Sequence, residues 1–153
     1  MTKKEFAERM DSLLKPVRKE YGFTQEKMAA VLGISKKTLV DIEKGRRTLG
    51  WTGAAAFAAV CGASGILQEE FGGEMADLVA ALAFADAVPR YPKTMGGKVW
   101  WREVTREGGF RIQQNILSGH YRLLDREDCR VMASFERECV EKCLVELLST
   151  ELY

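Results

Sequence analysis

The chain has 153 residues, enough for one domain with a substantial core or for two small modules. Hydrophobic residues make up 46% of the sequence and charged residues 29%, which is typical of a globular protein and excludes a disordered or fibrous one. No apolar run reaches the roughly 18 residues that a membrane helix needs, and the N-terminal residues lack the apolar core of a secretory signal. We therefore expect a cytoplasmic protein without a membrane partner.

Charge is divided unevenly along the chain, although the formal net charge is only +1. Residues 1–50 contain 12 Lys/Arg against 7 Asp/Glu, a formal charge of +5, whereas residues 51–153 carry a formal charge of −4. A basic N-terminal part and an acidic remainder favour a polyanion-binding module joined to a module with a different role.

The first predicted helix begins at a capping box, in which Thr2 and Glu5 have the Thr-x-x-Glu spacing. Apolar residues then recur at helical intervals from Phe6 to Tyr21, and the helix is predicted to end near Gly22. Pro16 lies inside this pattern, so a kink or a restart is expected there.

Two short helices follow, with clear start and stop signals. Thr24 is a good N-cap for the second helix and Gly33 a good C-cap. Ser35 caps a third helix that ends at Gly45, and the short turn between the two helices makes them cross steeply. With a buried helix in residues 50–61 and another that begins at Ser64, the pattern predicts a mainly α domain of five short helices over residues 1–72.

The remainder changes character after a further apolar helix. Residues 73–97 are expected to form a helix and a linker, because Pro89 and Pro92 stop the helical pattern. Residues 98–153 predict an α+β part with a small antiparallel meander and a terminal helix at about 136–149. The predicted strands are residues 98–105, 110–117, 120–124 and 129–134. Trp100 and Trp101, as neighbours on one strand, would point to opposite faces of the sheet.

Cysteine and histidine provide no catalytic or metal motif. None of the four cysteines forms a Cys-x-x-Cys pair, so no metal is expected, and Cys139 and Cys143 are predicted to face inward on the terminal helix. His120 is the only histidine, and no nucleophile and base can be assembled around it. We therefore expect neither an enzyme nor a cofactor.

Three features of the helical segment carry a resemblance to a known family. They are the Thr24-Gln25 helix opening, the turn from Leu32 to Ser35, and the Ile-Glu-x-Gly-x-Arg exit that ends at Arg47. With this spacing, residues 10–72 resemble the Cro and phage-repressor (Xre-like) DNA-binding domains. The family commonly has Pro and Ser where Leu49 and Gly50 stand here.

The resemblance implies a helix-turn-helix regulator that binds double-stranded DNA and reads the major groove with helix 36–44. The side chains expected at the DNA are Gln25, Lys36, Lys37, Thr38, Val40, Asp41, Lys44, Arg46 and Arg47. Lys37 stands where the family often has Gln, which favours contact with guanine O6 and N7. Arg46 and Arg47 would neutralise phosphates.

Some roles on this face stay open. Gln25 would anchor a phosphate, or be an ordinary residue of a first helical turn. Thr38 would contact a phosphate or a thymine methyl group, while Asp41 would accept from a cytosine amino group or repel phosphate. The resemblance gives Arg18 and Glu43 only a structural role, as an ion pair.

The function expected from these features is a homodimeric, sequence-specific transcriptional regulator, most simply a repressor, reading half-sites about 34 Å apart. One alternative is an antitoxin-like regulator that binds a protein partner through residues 90–153. Another is a sensor whose C-terminal part binds a small effector, for which polar groups on the wet face of the predicted sheet are available. These are Arg111, Gln113, Asn115 and Arg122.

Overall fold

The computed structural model describes residues 1–85 and 100–150. The chain divides into two compact units, Met1–Arg90 and Tyr91–Tyr153, and each has its own hydrophobic core. No helix within the described ranges is long and apolar enough to span a membrane.

The described part of the N-terminal unit is helical. Its elements are α1 (Lys3–Glu20), α2 (Gln25–Leu32), α3 (Lys36–Glu43), α4 (Gly50–Cys61), α5 (Gly65–Phe71) and α6 (Met75–Ala83). The first five confirm the predicted mainly α architecture. The sixth packs on α4 and α5 and places Met75 in the same core, at 3% exposure.

Helix α1 begins at the predicted capping box. Thr2 Oγ1 accepts from the backbone N–H of Glu5 at 3.2 Å, and the Thr2 N–H donates to Glu5 Oε2 at 2.6 Å. The expected restart at Pro16 is wrong, because the helix is continuous to Glu20. Leu14 and Val17 on either side of the proline are fully buried, and their packing holds the turn that lacks one backbone hydrogen bond.

A side-chain cap stabilises the N-terminus of each of α2 and α3, and a tight turn joins the two helices. Thr24 Oγ1 accepts from Lys27 N at 3.1 Å, and Ser35 Oγ accepts from Thr38 N at 3.0 Å. Gly33 ends α2 in the left-handed conformation, with φ of 69°. This turn directs α3 away from α2 while Leu39 and Ile42 enter the core.

The described part of the C-terminal unit is a sheet with one helix. Its elements are β1 (Trp101–Glu107), β2 (Phe110–Asn115), β3 (Tyr121–Leu124), β4 (Arg130–Ser134) and α7 (Arg137–Thr150). The strands form an antiparallel meander in the order β1-β2-β3-β4, as predicted. Ile112 and Leu123 on one face pack against Val140 and Leu144 of α7.

Two details of this unit differ from expectation. Trp100 precedes β1 instead of lying in it, so the argument that strand neighbours face opposite sides does not apply to the tryptophan pair. Cys139 is exposed, whereas Cys143 is partly buried and packs against the core beside Val140 and Leu144, as predicted. Residues 86–99, which include most of the predicted linker, lie outside the described residues.

Candidate nucleic-acid interface

Helix α3 divides cleanly into an inner and an outer side. Leu39 and Ile42 are 0% and 3% exposed and anchor the helix to the core. Lys36, Lys37 and Lys44 are exposed, while Thr38, Val40 and Asp41 lie at intermediate exposure. Every residue of α3 that the resemblance places at DNA is therefore outside the core.

The N-terminus of α3 brings three hydrogen-bonding side chains together. Thr38 Oγ1 lies 2.9 Å from Ser35 Oγ and accepts from Arg47 Nη1 at 3.2 Å. Arg47 follows α3 in sequence, yet its guanidinium lies beside the first turn of that helix. The fold thus positions one of the predicted phosphate ligands at the end of the helix where the backbone N–H groups are free.

Lys36 is the one lysine of α3 that has an acidic partner among the described residues. Its ammonium pairs with Glu26 of α2, and the hydrogen bond from Lys36 lowers the pKa of that carboxyl below its ordinary value. Both side chains are more than half exposed, so this surface pair is weak and open to competition by a phosphate.

Beneath this surface, Glu43 at the end of α3 is held by two other helices. Arg18 of α1 donates to its carboxylate through Nε at 2.6 Å and Nη2 at 3.1 Å, and Nη1 donates to the carbonyl of Phe23 at 3.0 Å. Gln25 Nε2 of α2 donates to the same carboxylate at 3.0 Å. The pair predicted as structural is therefore present, and Gln25 joins it.

The environment of Glu43 favours its charged form. Burial alone would raise the pKa of this carboxyl, but the hydrogen bonds from Arg18 and Gln25 and the charge of Arg18 outweigh burial and lower it. The hydrogen bonds that Arg18 donates to Glu43 raise the pKa of Arg18 in turn. With side-chain exposures of 13% and 5%, Arg18 and Glu43 form a largely buried ion pair.

Three predicted DNA ligands carry an uncompensated positive charge. Lys37, Lys44 and Arg46 are exposed, and none of them has an ion-pair partner in residues 1–85 or 100–150. The Arg46 N–H donates to the carbonyl of Asp41 at 2.8 Å, which fixes the chain just after α3. Asp41 is the only acidic residue within α3 besides the buried Glu43.

Sequence reasoning missed two of these contacts. The Arg47–Thr38 hydrogen bond spans nine positions and the Lys36–Glu26 pair spans ten, so neither follows a helical interval of three or four. The Lys36–Glu26 pair depends on the crossing of α2 and α3, and the Arg47–Thr38 bond depends on the chain after α3 returning to its first turn.

A cluster of possible metal ligands lies in the C-terminal unit, at Asp125, Glu127 and Cys129, whose ligand atoms lie within 4.8 Å of one another. Asp125 Oδ1 already accepts the backbone N–H groups of Glu127 at 2.9 Å and Cys129 at 2.8 Å. These bonds explain the cluster as a turn between β3 and β4, and nothing in it indicates a metal.

Comparison with known families identifies the helical segment. Residues 12–71 match the family model of a helix-turn-helix domain, which confirms the resemblance of this segment to the Cro and Xre-type domains. No curated protein and no solved structure is significantly similar to the chain. The match covers less than half of the sequence and does not extend to residues 72–153.

Proposed function

We propose that this chain, whose residues 12–71 form a helix-turn-helix domain, is a sequence-specific transcriptional regulator that inserts α3 into the DNA major groove. The domain supports DNA-binding regulation in general. The observation that favours α3 as the reading element is the exposed positive charge of Lys37 in its first turn and of Lys44 and Arg46 just after its end, none of which has an acidic partner in the described structure. A phosphate backbone would supply that partner.

Lys37 is the proposed base-reading residue. It lies in the first turn of α3, the part of a recognition helix that faces base edges, and its exposed ammonium can donate to guanine O6 and N7. Thr38 and Arg47 act together at the backbone, since Arg47 reaches the same turn through its hydrogen bond to Thr38. Arg46 and Lys44 neutralise phosphates on the other side of the groove.

Gln25 is proposed to bind phosphate with the amide hydrogen that Glu43 leaves free. Its Nε2 carries two hydrogens, of which Glu43 accepts one at 3.0 Å. The side chain is therefore held in place at the N-terminus of α2, where the helix dipole also favours an anion. Gln25→Glu is expected to weaken binding more than Gln25→Ala, because it adds a negative charge at the same position.

The central test compares three alanine variants on one operator and its point mutants. Lys37→Ala is expected to cost about 1 to 3 kcal/mol and to relax discrimination at one base position. Arg46→Ala is expected to weaken binding to all sequences alike and to lower the salt slope by about one. Lys4→Ala on α1 removes the same charge from a side chain that is 85% exposed, and serves as the control.

Operator selection from genomic fragments supplies the DNA, and binding is measured by fluorescence anisotropy from low to high salt. If Lys37→Ala bound every sequence with the affinity of the unchanged protein, α3 would not be the reading helix. If Lys4→Ala weakened binding as much as Arg46→Ala, the salt dependence would reflect the net charge of the protein and not contacts made by the residues at α3.

We further propose a homodimeric repressor acting in the cytoplasm, where its DNA ligand is located. One helix-turn-helix reads only a half-site, and a dimer pairs two of them about 34 Å apart. Footprinting would show two protected half-sites about 10 base pairs apart, and a promoter–reporter fusion would fall in expression when the regulator is supplied. A single protected half-site or a rise in expression would contradict the respective proposal.

A second candidate function is that of an antitoxin-like regulator that binds a protein partner through residues 90–153. The observation in its favour is the exposure of large apolar side chains on the C-terminal unit, with Trp100 at 46%, Leu117 at 73% and Phe135 at 72%. Co-purification of one stoichiometric partner with the full chain would support it. A small effector at the same unit would instead shift operator affinity without a second protein.

A further inference from the structure

The sheet of the C-terminal unit has one face that α7 does not cover. Antiparallel partners share a face, and Ile112, Leu123 and Met132 form the row that packs beneath α7. The alternate residues point to the other side, which we call the open face. It comprises Trp101, Glu103, Arg106, Arg111, Gln113, Asn115, Arg122, Leu124, Arg130 and Ala133. Past the bulges in the β1–β2 and β3–β4 pairs, Arg106 and Arg130 share this face through their partners Arg111 and Leu124.

The open face is positively charged, although the C-terminal unit as a whole carries a slight negative charge. Residues 100–150 contain eight Lys/Arg and nine Asp/Glu, so the unit is slightly acidic. Yet four of the eight bases are arginines of the open face, at positions 106, 111, 122 and 130. Two of them have acidic partners, Arg106 with Glu103 at 3.1 Å and Arg111 with Asp128.

The other two arginines lack an acidic partner among the residues that the structure describes. Arg122 donates from Nε and Nη2 to the neutral Gln113 Oε1, at 3.0 and 2.8 Å. The pKa of Arg122 lies below its ordinary value because it is partly buried and because Arg111 and Arg130 add positive charge nearby. Arg130 is exposed. An anion at this face would relieve the repulsion between these side chains.

Aromatic rings border the arginines at one end of the face. The Arg122 guanidinium lies 3.7 Å from the centroid of the Trp101 ring, and His120 packs edge-on against the same ring at 5.0 Å. Phe135 continues the row, 5.8 Å from His120, and is 72% exposed. The stacked tryptophan holds Arg122 in a fixed position above the sheet.

These features discriminate between possible occupants. A second copy that packed its open face here would bring together two faces that each carry four arginines and one acidic residue, Glu103, and the like charges would repel. Stacking of single-stranded bases on Trp101 is disfavoured, because Arg122 already covers a face of its ring. Duplex DNA needs no such stacking and matches arginine and amide side chains with phosphates and base edges.

We propose that the open face is a second contact surface for duplex DNA. Arg122 and Arg130 would bind phosphates or guanine edges, Gln113 would present its unused amide hydrogens, and Phe135 would contact sugar or a thymine methyl group. This rests on the proposed function, which already brings the chain to duplex DNA through α3. A second contact on the same molecule raises affinity through effective concentration, without a stronger first contact.

The test uses the full chain and the variant Arg130→Glu, because the Arg130 side chain is exposed and makes no hydrogen bond or ion pair with the residues that the structure describes. Lys142→Glu on α7 is the matched control, since it makes the same charge change at another exposed position of the unit. Affinity for a 30-base-pair duplex of random sequence is measured by fluorescence anisotropy from low to high salt. Amide NMR spectra of both variants show whether the unit remains folded.

Arg130→Glu is expected to weaken duplex binding about fivefold or more and to reduce the salt slope by about one to two, while Lys142→Glu changes affinity less than twofold. Phe135→Ala is expected to weaken binding at least twofold without altering the slope, because it removes no charge. Equal effects of Arg130→Glu and Lys142→Glu would overturn the proposal.

Two competitors test the choice of ligand in a Lys37→Ala/Arg46→Ala background. A single strand of equal length, or polyglutamate of equal charge, should displace the duplex poorly, and efficient displacement by either would overturn the assignment to duplex DNA. The two proposals can fail separately. If Lys37→Ala and Arg46→Ala reduce binding and Arg130→Glu does not, only the second surface is lost, whereas the reverse result would leave the sheet as the DNA contact.

Discussion

Glu43 shows how one buried residue links the three helices that shape the proposed DNA surface. Its carboxylate accepts from Arg18 of α1 and Gln25 of α2, while its backbone ends α3. Side chains on α2 and α3 can read DNA only when these helices keep a fixed relation. We therefore interpret the carboxylate as a positioning group for the surface above it.

Glu43→Gln is expected to destabilise the protein by about 3 kcal/mol, because it leaves the mostly buried Arg18 without a counter-charge. The folded pKa of Glu43 is lowered, so its stabilisation is present above the unfolded pKa of about 4.3 and is lost as the pH falls through the folded pKa. Urea unfolding at several pH values should show the two proteins converging in acid. Glu8→Gln, at an exposed surface pair, should differ little from the unchanged protein at any pH.

Cys61 provides a second prediction at the residue scale. Its side chain is fully buried, and burial raises the pKa of the thiol to about 11. Because the thiolate is the reactive form, Cys61 should resist an aromatic disulfide reagent at pH 8 in the folded protein, while the exposed Cys129 and Cys139 react quickly. Mass spectrometry of tryptic peptides would locate the label. Labelling of Cys61 as fast as Cys129 would show that the α1–α4 core opens readily.

The identities of the surface residues on α3 could be predicted from sequence, and their contacts could not. The motif spacing alone predicts that Lys37 and Arg46 lie at the surface. The sharing of Glu43 between Arg18 and Gln25 requires three helices to meet, so no interval along the chain reveals the contribution of Gln25. Whether a motif residue faces solvent or a neighbouring helix is decided by tertiary packing.

At the scale of elements, the start and stop signals placed α2 and α3 almost to the residue. Thr24, Gly33 and Ser35 each act locally through a side-chain cap or a positive φ, and local causes can be read from sequence. The restart expected at Pro16 does not occur, for the opposite reason. The cost of the proline is local, but the burial of Leu14 and Val17 that outweighs it comes from other helices.

Gly33→Ala should destabilise the N-terminal unit by about 1 kcal/mol. The φ of 69° disfavours any residue with a Cβ, while no atom lies within 4 Å of the position that the Cβ would take, so backbone strain is the whole cost. Gly33→Asn should cost less, because asparagine tolerates the left-handed conformation. Denaturant midpoints at constant slope would measure both. If Gly33→Ala and Gly33→Asn lowered the free energy of unfolding equally, the positive φ of residue 33 would not be the cause of the destabilisation.

At the scale of the whole molecule, the sequence predicted the two architectures and part of the open face, since Arg111, Gln113, Asn115 and Arg122 are the polar groups expected on the wet face of the sheet. The change from helical to alternating periodicity after residue 98 indicated a meander, and the alternation of Phe110 and Ile112 indicated which side of β2 is buried. The other charges on that side depend on register. Arg106 and Arg130 lie past bulges that interrupt the regular alternation, and only their pairing with Arg111 and Leu124 places them on this face.

The two separate cores predict two independently stabilised units. Leu144 is 4% exposed and packs against the sheet, so Leu144→Ala should destabilise the C-terminal unit by about 2 to 5 kcal/mol, enough to unfold a unit of this size. Val145→Ala is the control, because Val145 is the next residue of α7 and its side chain is 61% exposed. Amide NMR should then show collapsed dispersion for residues 100–150 in the Leu144 variant and unchanged resonances for the core around Phe6 and Phe57. Loss of both sets together would show that the helix-turn-helix unit depends on the sheet for its stability, and that DNA binding by α3 cannot be assigned to residues 1–85 alone.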